Sequence, residues 1–188
     1  EERGTLRAFV RGGKAVKSKK GAATGKFCYA ALTLTETKDS FVVDEAAPIE
    51  LFFNLRESID KLALAEYFLE LGFAFSPEAE NAKDNLKVIL NSLYFLCNDT
   101  YKPKQLKAIT ELRLLTLAGY APNLVACEHC GTFETGTMYF DMQEGLLYCE
   151  NCAPATAPFC LPLGIVNAMR HIVFSENKGL YAFQMDEG

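Results

Sequence analysis

The chain has 188 residues, 49% of them hydrophobic and 23% charged, and carries a formal net charge of −5. That apolar content excludes a disordered chain, and no apolar run approaches the roughly 18 residues of a membrane-spanning helix. Seven cysteines are an odd number and cannot all be paired as disulfides, so the expected compartment is reducing and cytoplasmic. The polar start, Glu1-Glu2-Arg3-Gly4, carries no signal-peptide pattern.

In chain order, the first segments read as strands: Thr5 to Val10, Phe27 to Thr35 and Ser40 to Val43, rich in β-branched and aromatic residues. Between the first two lies RGGKAVKSKKGAATGK, whose four glycines mark a basic loop. Three strands cannot close a barrel. From Asn54 the apolar period becomes helical. Leu55, Ile59, Leu62 and Leu69 form one stripe, Leu64, Phe68 and Leu71 a second, and Gly72 suits the C-terminal cap. Ser76-Pro77-Glu78 reads as the start of a second helix, with Leu86, Ile89, Leu90, Leu93 and Leu96 inward. A third runs from Pro103, with Leu106, Ile109, Leu112 and Leu115 inward, to a stop at Gly119 and Pro122. A last amphipathic helix spans Leu163 to Phe174. The expected class is α+β, organised as residues 1–50, 51–120, 121–160 and 161–188.

Between the last two helices lie Cys127-x-x-Cys130 and Cys149-x-x-Cys152, separated by 18 residues. This is the spacing of a zinc ribbon. Each CxxC turn presents two sulfurs, and the strands Met138–Phe140 and Leu146–Tyr148 fold one turn over the other. Four thiolates leave no open position for water, so the metal is read as structural zinc, with an iron–sulfur cluster as the alternative. Neither pair begins a helix after a strand, as a redox CxxC would. His129 reads as a solvent-facing loop residue, His171 as a helix-surface residue, and Cys28, Cys97 and Cys160 as small buried hydrophobes.

Charge is distributed unevenly. Residues 1–26 hold eight Lys/Arg against two Glu, whereas the remainder holds eleven basic and 22 acidic residues. The candidate polyanion site is therefore Arg7, Arg11, Lys14, Lys17, Lys19, Lys20 and Lys26, since phosphate backbones are bound by several cations that displace counterions. Phe9, Phe27 and Tyr29 flank it and read as sheet core before base-stacking rings.

The run GTLRAFVRGGKAVKSK, the helix FNLRESIDKLALAEYFLEL, the segment ELRLLTLAGYAPNLVACEHCG and the closing LLYCENC together resemble the RecO family of recombination mediators, in its zinc-bearing branch. The resemblance implies a partial N-terminal OB-fold β-barrel whose first strands are not in this sequence, followed by a helical domain with an inserted four-cysteine zinc finger. A final helix expected after Phe183 is likewise not in it. It also implies binding of single- and double-stranded DNA, annealing of complementary strands, and, with RecR, help for RecA in loading on DNA covered by single-stranded-DNA-binding protein. A bacterial, nucleoid-associated location follows. The basic residues and four cysteines above fall on the family's DNA-binding and metal positions. Docking of the acidic C-terminal tail of single-stranded-DNA-binding protein points to Lys104 and Lys107, at i, i+3 on the third helix. No GxSxG, Walker A or HExxH pattern supports an enzyme. The alternative is a zinc-stabilised protein-interaction module without direct DNA binding.

Overall fold

The computed structural model describes residues 4–10, 19–38, 40–77 and 82–185. The chain divides into two compact units, Glu1–Leu106 and Lys107–Gly188. The class is α+β. Among the described residues no helix is long and apolar enough to cross a membrane.

The first unit opens with a three-stranded sheet of β1 (Ala8–Val10), β2 (Cys28–Glu36) and β3 (Phe41–Leu51), in the order β1-β3-β2. β1 runs parallel to β3 and β2 antiparallel to it. No barrel closes among the described residues. β3 runs eight residues beyond the expected end at Val43. Asp44-Glu45-Ala46-Ala47-Pro48 has poor strand propensity, but the nine residues of β2 offer a continuous ladder that overrides it. Pro48 sits where the register shifts between Tyr29 and Ala30, a bulge that tolerates a residue without an N–H. A short helix, α1 (Lys19–Ala23), lies within the glycine-rich stretch whose composition reads as loop. Ala23 is buried, and Lys20 Nζ reaches Val43 O at 3.5 Å.

A 3-10 turn at Phe53–Glu57 leads into α2 (Ile59–Phe75), capped by the Ser58 hydroxyl, which accepts from Lys61 N. Gly72 does not end this helix. A Cβ there would meet Ile89 Cγ1 at 3.0 Å, so glycine at this position lets α3 (Lys83–Cys97) approach α2. Ser76 is the C-cap of α2, its N–H bonded to Gly72 O, and not the N-cap of the next helix. Glu78 lies outside the described residues. Asn85 closes the turn, donating to Phe75 O at 3.2 Å. Leu55, Ala65, Phe68, Val88, Leu93 and Leu96 form the core, but Ile59, expected inside, is 85% exposed on the first turn of α2.

α4 (Pro103–Leu117) ends as expected at Gly119, whose φ of 89° lets Tyr120 N–H reach back to Leu115 O. The second unit contains a sheet of order β5-β4-β6, formed by β4 (Thr137–Asp141), β5 (Leu146–Cys149) and β6 (Phe159–Pro162), followed by α5 (Leu163–Phe174). The hairpin β4–β5 and the helix α5 match the sequence reading. β6 is an addition to that reading, because four residues ending in proline carry little strand signal. It is an edge strand, where Pro162 costs no ladder bond.

The C-terminus of α5 is held from inside. Arg113, 8% exposed, donates from Nη1 to Ile172 O and Val173 O at 3.2 and 3.0 Å, and from Nη2 to Asn177 Oδ1 at 3.1 Å. These are carbonyls that a helix end leaves without intrahelical partners. His171, expected on the helix surface, is half-buried: its Nε2–H donates to Gly179 O at 2.9 Å and its ring meets Phe183 edge-on at 4.8 Å. Replacing Arg113 with Met is expected to strand the two carbonyls and destabilise the fold by about 1–3 kcal/mol. The urea midpoint should fall, and amide exchange should rise first in residues 172–183; uniform exchange across the chain would contradict the cap.

Candidate metal centre and basic arm

The sulfurs of Cys127, Cys130, Cys149 and Cys152 all lie within 4.8 Å of one another. Cys130 Sγ and Cys149 Sγ are 3.6 Å apart. A tetrahedral ion with metal–sulfur bonds near 2.3 Å needs edges of about 3.8 Å, so one ion can gather all four with little movement. Two backbone turns bring them there. In the first, Gly131, at φ 72°, donates to Cys127 O at 2.9 Å while Cys127 N–H donates to Thr132 O at 2.8 Å. In the second, Cys152 N–H donates to Cys149 O at 3.0 Å. Glu128 N–H donates to Leu147 O at 2.8 Å and joins the first turn to β5.

The site is buried on one side only. Cys127 and Cys149 sit in the core with Met138, Leu147 and Val166, whereas Cys130 is exposed and Cys152 half-buried. The Thr132 hydroxyl, 3.1 Å from Cys130 Sγ, stabilises the thiolate and lowers the Cys130 pKa to about 6. Cys152 is pushed up to about 12, chiefly through its hydrogen bond to Cys149. His129 is exposed, as expected, but turns its Nδ1 to within 3.6 Å of Cys152 Sγ. Outside the cluster, Cys97 is buried, but Cys28 is half-buried, its thiol raised by burial, and Cys160 is exposed because β6 is an edge strand.

A residue outside the cysteine pattern organises the first turn. Arg170 of α5, 8% exposed, donates from Nε to Leu124 O at 2.7 Å and from Nη2 to Val125 O and Phe133 O at 3.1 and 2.7 Å. Its Nη1 meets Glu134 and Asn167, and its guanidinium lies 4.2 Å from the Phe133 ring centroid. It thereby ties together the chain entering Cys127 and the chain leaving Cys130. The sequence holds one signal for this role: Arg170 falls on the buried stripe Val166, Arg170, Val173, where a charge needs partners. At the hairpin turn, Asp141 accepts from Glu144 and Gln143 N–H, which hold its carboxyl below the usual carboxylate range.

Of the candidate DNA-binding residues, Arg11, Lys14 and Lys17 lie outside the described residues, and for Lys19 only the backbone is described. Arg7 is exposed beside β1. Lys20 is directed to Val43 O, and Lys26 pairs with both oxygens of Glu66 at 2.8 and 2.9 Å. The rings divide: Phe27 is core, Tyr29 half-buried, and Phe9 65% exposed. Lys104 and Lys107 both lie exposed on α4, with Lys107 paired to Glu111 at 2.6 Å, while Leu106 and Ile109 are fully buried and present no surface. In the second unit, Leu112, Leu115, Tyr120, Met142 and Met169 line an apolar hollow of about 440 Å³.

The family model described as Recombination protein O C terminal matches residues 56–183. Among curated proteins, the chain is 29% identical over 188 residues to a DNA repair protein RecO of Acetivibrio thermocellus, covering all of this chain and 75% of that protein. It is 28% identical over 184 residues to a DNA repair protein RecO of Dehalococcoides mccartyi, covering 97% of this chain and 72% of the relative. For the DNA repair protein RecO of Alkaliphilus metalliredigens the figures are 27% over 149 residues, 79% of this chain and 61% of the relative.

Cys130→Ser and Cys149→Ser should each release bound metal and open residues 121–160 to protease, because the ion forms part of this module's core. Metal content by mass spectrometry and limited proteolysis check this, and a variant keeping both metal and resistance would contradict it. Arg170→Met retains all four thiols yet should lower metal affinity roughly 10–100-fold, as loss of an outer support does, read by competition with a chromophoric chelator.

Proposed function

Since the chain belongs to the RecO family, whose C-terminal model it matches over residues 56–183, we propose that it is a DNA-binding recombination mediator acting in DNA repair. In this reading it anneals complementary strands and, with RecR, helps RecA load on single strands covered by single-stranded-DNA-binding protein. It has no catalytic centre and works in the bacterial cytoplasm at the nucleoid. The sheet of the first unit belongs to a partial OB-fold with a basic loop, residues 1–50. The helices of 51–120 and 161–188 form the body, and 121–160 form the zinc finger. Lys104 and Lys107 offer cations to an acidic partner tail, and only Lys104 does so without first releasing Glu111.

The metal is zinc, held by Cys127, Cys130, Cys149 and Cys152. The donor set supports this: four cysteine sulfurs within 4.8 Å of one another suit a soft, closed coordination shell. When bound, the ion supplies structure, fixing the hairpin and the two turns.

One observation carries the DNA reading. Eight of the chain's 19 basic residues fall in its first 26 positions, and no acid lies between Arg3 and Thr35. Cations concentrated against an acidic body repel one another unless a polyanion binds there. Neutralising Arg11, Lys14, Lys17, Lys19 and Lys20 together should weaken DNA binding for every sequence tested. The slope of log K against log salt should shrink by about 0.7–0.9 for each phosphate that is no longer neutralised. Titration of a labelled oligonucleotide at several salt concentrations measures both; an unchanged slope would place the DNA site elsewhere, and the lack of any salt-dependent binding would favour a zinc-stabilised protein-interaction module instead.

A further inference from the structure

Phe27 is buried with a left-handed backbone, φ 57°, although it is not glycine. Such a conformation persists in a bulky residue only where its surroundings fix it. Here both adjacent carbonyls are fixed. Phe27 O accepts from Phe52 N–H at 3.1 Å, and Lys26 O accepts from Arg56 Nη2 at 2.8 Å. The end of the basic segment is thereby fastened to the 3-10 turn Phe53–Glu57.

Arg56 itself is exposed, and its guanidinium carbon lies 5.7 Å from the Phe27 centroid and 5.8 Å from that of Phe53. Both distances are within cation–π range. Phe27 is the buried ring of this cluster and Phe53 the open one, 62% exposed. An aromatic ring held in water next to a cation, on a turn fastened by one backbone hydrogen bond and one from the Arg56 side chain, has the composition of a nucleobase platform. The ring offers a π-face, and the guanidinium still has N–H groups to give beyond the one bonded to Lys26 O. Lys26 lies alongside; its exposed ion pair with Glu66 is of the weak kind that a phosphate can exchange.

We propose that Phe53 and Arg56 form a stacking site for an unpaired base of single-stranded nucleic acid, adjoining Lys26 at the end of the basic arm. The inference rests on the DNA-binding reading and adds strand selectivity to it. In a duplex each base is covered on both faces by its neighbours, so a flat exposed ring distinguishes an open strand, whereas cations on phosphates do not.

The test uses the full chain, a labelled oligothymidylate and a duplex of equal length, at one salt concentration. Phe53→Ala should bind the single strand about tenfold more weakly and the duplex as wild type does. Phe53→Trp should retain single-strand affinity. Because the chain contains no tryptophan, this variant also gives a single tryptophan, excited apart from the tyrosines, whose emission stacking should quench with the single strand and not with the duplex. This second readout holds even if the alanine variant is less stable. Equal single-strand affinity for Phe53→Ala and wild type, or emission unchanged at saturating single strand, overturns the inference and leaves the surface to a protein partner. Wild type binding neither DNA would overturn the DNA-binding reading as well, so the two failures are distinguishable.

Discussion

Main-chain carbonyls that find no partner within a helix or sheet ladder still need donors. Among the described residues three arginines meet that need, and the positions of both candidate sites depend on it. Arg170 collects Leu124, Val125 and Phe133 around the first metal turn, Arg113 collects Ile172 and Val173 at the end of α5, and Arg56 collects Lys26 where the basic segment enters β2. Arginine suits this work because its planar fork presents several N–H groups in fixed directions and stays charged at every physiological pH. The cost of burying the charge is met by multiple acceptors and, for Arg170, by the Phe133 face.

The division of labour follows from this. The second unit gathers its thiols on two tight turns joined to a hairpin, so a metal bound there would extend the small core of Met138, Leu147 and Val166. In the first unit the described candidate cations Arg7, Lys20 and Lys26 lie off the strands, whose own charges are Glu36, Asp44, Glu45 and Glu50, and among the strand residues Val43 is buried. A candidate metal centre in one unit and a candidate cationic arm in the other would therefore answer to different chemistry, thiolate coordination in the first case and charge on phosphate in the second. Salt acts on the second and chelation on the first.

What the sequence reveals tracks what kind of partner each residue has. The four cysteines are legible because a metal demands fixed spacing, and α5 and α4 because their apolar period and glycine stop are local. Gly72 and Ser76 mislead for a shared reason: both are common end signals, yet here one serves the packing of Ile89 and the other closes the helix before it. β6 and the second half of β3 exist through pairing with β4 and β2, which residue propensity does not encode. Arg170, Arg113 and Arg56 escape a sequence reading because their partners are backbone groups, and carbonyls look alike whichever side chain they carry. Only their placement among apolar neighbours hints at them.

Arg170 also imposes an order in time. It lies 46 positions after Leu124, and 18 after the last cysteine ligand. At synthesis rates of about 5–20 residues per second, all four thiols leave the peptidyl centre roughly one to four seconds before the arginine does. A chain that stops short of α5 therefore holds all four thiols and the hairpin between them, yet leaves the carbonyls of Leu124, Val125 and Phe133 without the guanidinium that joins them.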